Sequence, residues 1–329
     1  MSPHHIHMEH TSTTEVTVTR QSHLTRILVQ IGLVLALFGC QSATDRSTDD
    51  STPGARELVD LRNRILAYTA DLEPDAAYSP PDDAQRERVA ESVGHLLDGD
   101  ATKAERLLDP LGLKLTRLTD TESGRRYDEI AAARPGRAER WGRLYLTADS
   151  DVRWNAQVPH PVSDRDTESL GVRLLEDNPG GSLVLAGAHR EAGRGDAADV
   201  AHRADSVFHA IVVELQKRDV PGVQLHGFAK DSDRPYEAVL STGAARSTFT
   251  EAAALADAMQ ADGLRVCRSW SARCPLEGTT NVQGKAAERH HAKFLHVELS
   301  PKARGDGNDA DAAATALSGL VTTWNSARR

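Results

Sequence analysis

Three features of the chain predict an α/β fold, a three-layer sandwich with a mostly parallel central sheet, preceded by a small helical region. From about residue 113 onward, short apolar runs recur and are continuous, as strands buried on both faces require. Segments with apolar residues at helical spacing separate these runs. Gly, Pro, Asn and Asp punctuate the joins between the two kinds of segment.

The N-terminal part reads differently. Arg20 and Arg26 precede an apolar run from Ile27 to Phe38, which ends at Gly39-Cys40. A run this short suits the core of a signal peptide better than a membrane-spanning helix. "LFGC" resembles the lipobox of bacterial lipoproteins, with Phe38 where a small or β-branched residue is usual. The resemblance implies lipidation of Cys40, a lipid anchor in a bacterial membrane and an extracytoplasmic body. Residues 1–39 are therefore expected to be the signal peptide. Residues 40–54, rich in Ser, Thr and Asp, are expected to be a flexible tether.

Residues 55–112 are expected to be helical. Leu58, Leu61, Ile65, Leu66 and Leu72 recur at helical spacing, and Val89, Val93, Leu96 and Leu97 mark a second helix. "ATKAERLLDPLG" forms a third, ended by Pro110 and Gly112. This region serves as a cap or a spacer. The α/β domain occupies 113–329. "LKLTRLT", "WGRLYLTA" and "VRWNAQVP" read as strands, followed by a helix over 167–176 and the strand "SLVLAGA". A helix is expected over 199–217, then the strands "VQLHGF" and "AVLST" and the helix "FTEAAALADAMQADG". The strands "LRVCRS" and "KFLHVELS" and a helix over 310–324 close the chain.

The formal net charge is −9 and there is no basic stripe, which argues against a nucleic-acid partner. Beyond Cys40 there are two cysteines, Cys267 and Cys274. In an oxidising compartment they can close a short disulfide loop; the other reading is two partly buried thiols. They are too few for a cysteine-type zinc site.

Histidine is unevenly placed. Eight of the 14 fall between His160 and His296, and His160, His189 and His226 stand at expected strand ends. In doubly wound sheets the site lies beyond those ends. Imidazoles with a carboxylate suit Zn2+ with one position left open. The turn in "QVPHPVSD" can bring Asp164 back toward His160, and Gly227 lets the backbone come close beside His226. Glu168, one helical turn beyond Asp164, is a rival for the carboxylate place. Glu298 is a charge in the middle of an apolar strand, which is costly unless used or paired. It is the candidate general base. Arg190, beside His189, offers a fork for a substrate carboxylate. Arg289 is a further candidate for substrate contact, or a solvated charge. Ser206 lacks the glycine-flanked elbow of a nucleophilic serine.

The order of His with a nearby carboxylate, then "QLHGF", then "HVELS" resembles the zinc carboxypeptidase-like hydrolases. The likeness is strongest to the poly-γ-glutamate hydrolase and N-formylglutamate amidohydrolase branch, and covers roughly residues 150–300. It implies a phosphorylase/hydrolase-like sheet, zinc held by His160, Asp164 and His226, and Glu298 as base. It also implies cleavage of an amide bond in a small-molecule or peptide substrate, anionic in the γ-glutamyl case. The pattern departs from the carboxypeptidases, whose first pair is tighter and ends in Glu: here three residues separate His160 from Asp164. A zinc-dependent cell-wall amidase and a non-catalytic ligand-binding lipoprotein on the same fold are the alternative expectations.

Overall fold

The computed structural model describes residues 56–229, 234–245 and 247–327; the expected signal peptide, Cys40 and the tether lie outside them. Strand β1 (Glu57–Val59) pairs in parallel with β2 (Leu113–Asp120). β2, β3 (Arg126–Ala132) and β4 (Arg143–Thr147) form an antiparallel meander. The remaining strands are β5 (Trp154–Val158), β6 (Gly181–Leu185), β7 (Gly222–Gly227), β8 (Ala238–Ser241), β9 (Val266–Arg268) and β10 (Phe294–Leu299). Together the ten make one mixed sheet in the order β1-β2-β3-β4-β6-β5-β7-β10-β8-β9. Its centre, β6-β5-β7-β10, is parallel throughout.

Helices cover both faces. They are α1 (Leu61–Ala70), α2 (Asp83–Leu97), α3 (Ala101–Leu108), α4 (Thr167–Asp177), α5 (Val207–Lys217), α6 (Phe249–Ala261), α7 (Val282–His290), α8 (Pro301–Arg304) and α9 (Asn308–Ser326). α1 and α9 pack on α4, and α6 on α9; α2 and α7 pack on α5. The helices of residues 55–112 are thus shared between the two outer layers. Local chemistry sets their starts. Asp60 caps α1, Asp82 and Gln85 form a capping box on α2, and Asp100 caps α3.

Strand alternation sorts the core. Val158, Leu183, Leu225 and Val297 join the cluster under α4 and α9. Val184 points the other way, to Phe208, Ile211 and Val212 of α5. Each such fully buried side chain contributes about 1.5–3 kcal/mol. On that second face, β5, β7 and β10 present Gln157, Gln224, His226, His296 and Glu298, all buried. The chain leaves β5 through α4 to β6 on one side, then returns through α5 to β7 on the other. β5 is therefore a topological switch point, and a crevice opens at its carboxyl end.

Several elements differ from the sequence reading. Residues 57–59, expected to be helical, form strand β1, and the short helix α8 was not expected. β3 was hidden by its charges. Glu129 points inward and is fully buried, held by Arg64 at 2.6 and 3.0 Å and by Arg143 at 3.4 Å. The helix expected over 199–217 starts only at Val207, because Ser206 Oγ accepts the His209 N–H at 3.0 Å and caps it. α7 was not expected; Asn281 starts it by accepting the Gly284 N–H at 2.9 Å.

Candidate metal centre

His160 follows the end of β5 and is 1 % exposed. Two residues later Val162 has φ of 59°, a left-handed conformation that a β-branched residue rarely adopts. This reverses the chain, and the Asp164 N–H donates to the His160 carbonyl at 2.9 Å. The same reversal brings the Asp164 carboxylate to its own ring: His160 Nδ1 lies 3.1 Å from Asp164 Oδ2. His226, on β7, places its Nδ1 3.2 Å from the same oxygen. The three ligand atoms all lie within 4.8 Å of one another and all three residues are buried.

The far ring nitrogens are also engaged. His160 Nε2 lies 2.9 Å from Asp199 Oδ1, and His226 Nε2 lies 2.8 Å from Gln224 Oε1. Both partners accept, so each Nε2 can carry a proton, and each Nδ1 then offers a lone pair inward whenever its ring is neutral. Two such lone pairs and a carboxylate oxygen facing one another need positive charge between them. Two imidazoles and one carboxylate, oriented by acceptors behind them, fit a zinc ion with three protein ligands and an open fourth position.

The electrostatics follow from burial and partners. Burial opposes charge on His160, but the hydrogen bonds to Asp164 and Asp199 outweigh it and raise its pKa. Burial would raise the Asp164 carboxyl, yet the His160 and His226 imidazoles hold it well below the usual carboxylate range. Asp199 behaves alike, through His160 and His202. Burial brings His226 down to about 4, with His296 beside it adding to the effect. Glu298 would be raised by burial but is held low by the imidazoles of His296 and His226.

Glu298 stands on β10 in register with His226 on neighbouring β7, and both side chains face the same way. A cavity of about 210 Å³ opens there, lined by His160, His226 and Glu298 and by Arg190, His202 and His296. Arg190 donates from Nη2 to Asp199 Oδ2 at 2.9 Å. Glu168 is not in the cluster of three; its carboxylate lies 3.5 Å from the Val162 N–H, and burial raises its pKa. His189 accepts the Glu191 N–H at 3.3 Å and does not line the cavity. Arg289 sits in the last turn of α7, also outside the lining. Cys267 and Cys274 are joined in a disulfide, and the loop after it supplies Leu276, Gly278 and Asn281 to the wall.

Sequence reasoning had not assigned Asp199, Gln224 or His296. For the last two the signal was there. Each stands two residues before a site residue on the same strand, and so on the same face. Asp199 had no such marker, because an irregular stretch carries it to His160 from 39 positions away.

No family model and no curated protein matches the chain. Solved structures similar to it include N-formylglutamate amidohydrolase from Ralstonia eutropha JMP134, at 13% identity and TM-score 0.40, covering 56% of this chain and 97% of that one. Succinylglutamate desuccinylase from Chromobacterium violaceum has 13% identity and TM-score 0.40, over 70% and 76% of the two chains. A metallo-carboxypeptidase from Pseudomonas aeruginosa, in complex with (2-guanidinoethylmercapto)succinic acid, has 14% identity and TM-score 0.37, over 75% and 70%.

Proposed function

We propose that this chain is a zinc-dependent hydrolase of amide bonds, with Glu298 as its general base. The observation that carries the reading is one arrangement. His160, Asp164 and His226 converge at the switch point of the sheet, and Glu298 stands in register beside His226 and lines the cavity that His160 and His226 also line. When bound there, zinc would polarise the scissile carbonyl and make water a better nucleophile. Glu298, ionised and buried, takes the proton from the attacking water and returns it to the leaving nitrogen. Asp199 and Gln224 keep the two imidazoles in the tautomer that ligates.

Arg190 spends one Nη on Asp199, and its remaining N–H groups can hold a carboxylate of the substrate. The cavity, at about 210 Å³, is smaller than a typical ligand pocket of about 300–1,000 Å³. We therefore assign the activity to a terminal amide bond, with one residue-sized group entering, rather than to bonds inside a long cell-wall polymer. We further place the domain outside the cytoplasm, tethered to the membrane through Cys40, on the reading of "LFGC".

The test is Glu298→Gln in zinc-loaded protein, assayed on a panel of N-acyl amino acids. Zinc content should be unchanged, and hydrolysis should fall by at least about a hundredfold, the lower end for a lost general base. Full activity in the variant would remove Glu298 from the mechanism.

A further inference from the structure

His296 stands two residues before Glu298 on β10, on the same face of the strand. It is 4 % exposed and lines the cavity. Neither of its ring nitrogens has a hydrogen-bond partner among the described residues. Nε2 lies 3.4 Å from Glu298 Oε1, an ion-pair contact when the ring is charged but not a hydrogen bond, and the ring rests against His226 with centroids 4.4 Å apart. The other two buried histidines of the site have both nitrogens engaged. Among the described residues that line the cavity, His296 is the one with buried polar atoms left unpaired.

A buried polar group without a partner is destabilising. Its cross-strand neighbours, Gln224 and Ser241, make no hydrogen bond to it. Gln224 donates to Gln157 at 3.0 Å and accepts from His226, and Ser241 Oγ accepts the Gly243 N–H at 2.8 Å. The fold also goes out of its way to bury this ring. The loop that follows the Cys267–Cys274 disulfide closes over it at Gly278. Gly278 has φ of +63°, and a Cβ there would come within 2.7 Å of His296 Cγ, so only glycine permits the approach. The metal set makes no use of the imidazole, and toward the base it offers only the approach of Nε2 to Glu298, which leaves Nδ1 with no hydrogen-bond partner among the described residues.

We propose that His296 is a specificity-determining residue. Its imidazole hydrogen-bonds an oxygen acceptor, carboxamide or carboxylate, at the end of the substrate group that fills the cavity. An apolar group of the same length leaves the imidazole unpaired, and so it is rejected. The inference rests on the proposed hydrolase reading for the amide nature of the ligand.

The experiment measures binding of N-acetyl-glutamine, N-acetyl-glutamate and N-acetyl-norleucine to the zinc-loaded full chain by calorimetry. Wild-type protein should bind at least one acceptor-bearing ligand tighter than the norleucine compound by about tenfold or more, and the two acceptor arms tell carboxamide from carboxylate. His296→Leu should bring the ratio to within about twofold at unchanged zinc affinity, and His296→Gln, which keeps a donor and an acceptor, should restore part of it. An unchanged ratio in His296→Leu overturns the inference. So does wild-type protein that binds the three alike or binds none, and so does loss of zinc with His296→Leu. Hydrolysis is not read, so a zinc-loaded protein that binds selectively without turnover counts against the proposed function and leaves this inference standing.

Discussion

Replacing Asp199 with alanine should weaken zinc binding without touching a ligand. The carboxylate receives His160 Nε2 at 2.9 Å, Arg190 Nη2 at 2.9 Å and His202 Nδ1 at 3.0 Å. Arg190 and His202 are exposed enough for water to take over their contacts, with side chains 36% and 49% exposed. His160 is not: at 1 % exposure it finds no replacement acceptor. Its proton is then free to move to Nδ1, and a protonated nitrogen cannot ligate. Partners of this kind are worth about 10–100-fold in metal affinity, or about 1.4–2.7 kcal/mol. Asp199→Ala should therefore raise the zinc dissociation constant by about ten- to a hundredfold. Asp199→Asn keeps an oxygen for His160 and should sit at the low end of that range. The assay is competition with a chromophoric chelator at fixed pH, with circular dichroism to confirm the fold. Asp199→Ala protein that is folded and binds zinc within about twofold of wild type would refute the reasoning.

The two carboxylates that compete for one coordination place can be separated directly. Asp164→Ala should lose more zinc affinity than Asp199→Ala, whereas Glu168→Ala should leave affinity within about twofold, since Glu168 faces the Val162 backbone; the reverse order would reassign the ligand. Zinc binding should also strengthen with rising pH. Above about 4 His226 is already neutral, whereas the raised pKa of His160 means that a bound proton must leave as zinc enters. Below the His160 pKa, affinity should fall by about tenfold per pH unit, and an affinity flat between about pH 5 and about pH 8 would contradict the proton count. Calorimetry in buffers of different ionisation enthalpy should register that released proton. In the core, Leu174→Ala removes a fully buried side chain of α4 and should cost about 2–5 kcal/mol in denaturant unfolding.

Much of the sheet was legible because buried parallel strands write themselves as continuous apolar runs. A polar residue inside such a run is conspicuous, which is how His226 and Glu298 came forward, and strand alternation carries them to one face. The same logic reaches Gln224 and His296, each two residues earlier, once the strand is read for its polar face as well. What stayed hidden has a physical cause in each case. β3 disguises itself with Glu129, whose partners Arg64 and Arg143 come from other elements. Asp199 reaches His160 from a stretch of turns, and no local pattern predicts that meeting. The prolines of "QVPHPVSD" suggested a turn, but the reversal itself is made by Val162 in a left-handed conformation, which no preference of valine foretells.

Metal content tests the central claim most directly. The purified chain, offered zinc and dialysed, should retain one equivalent per chain, and a His160→Ala, His226→Ala double variant should retain none. Wild-type protein that holds no zinc, or a double variant that holds as much as wild type, would contradict the account.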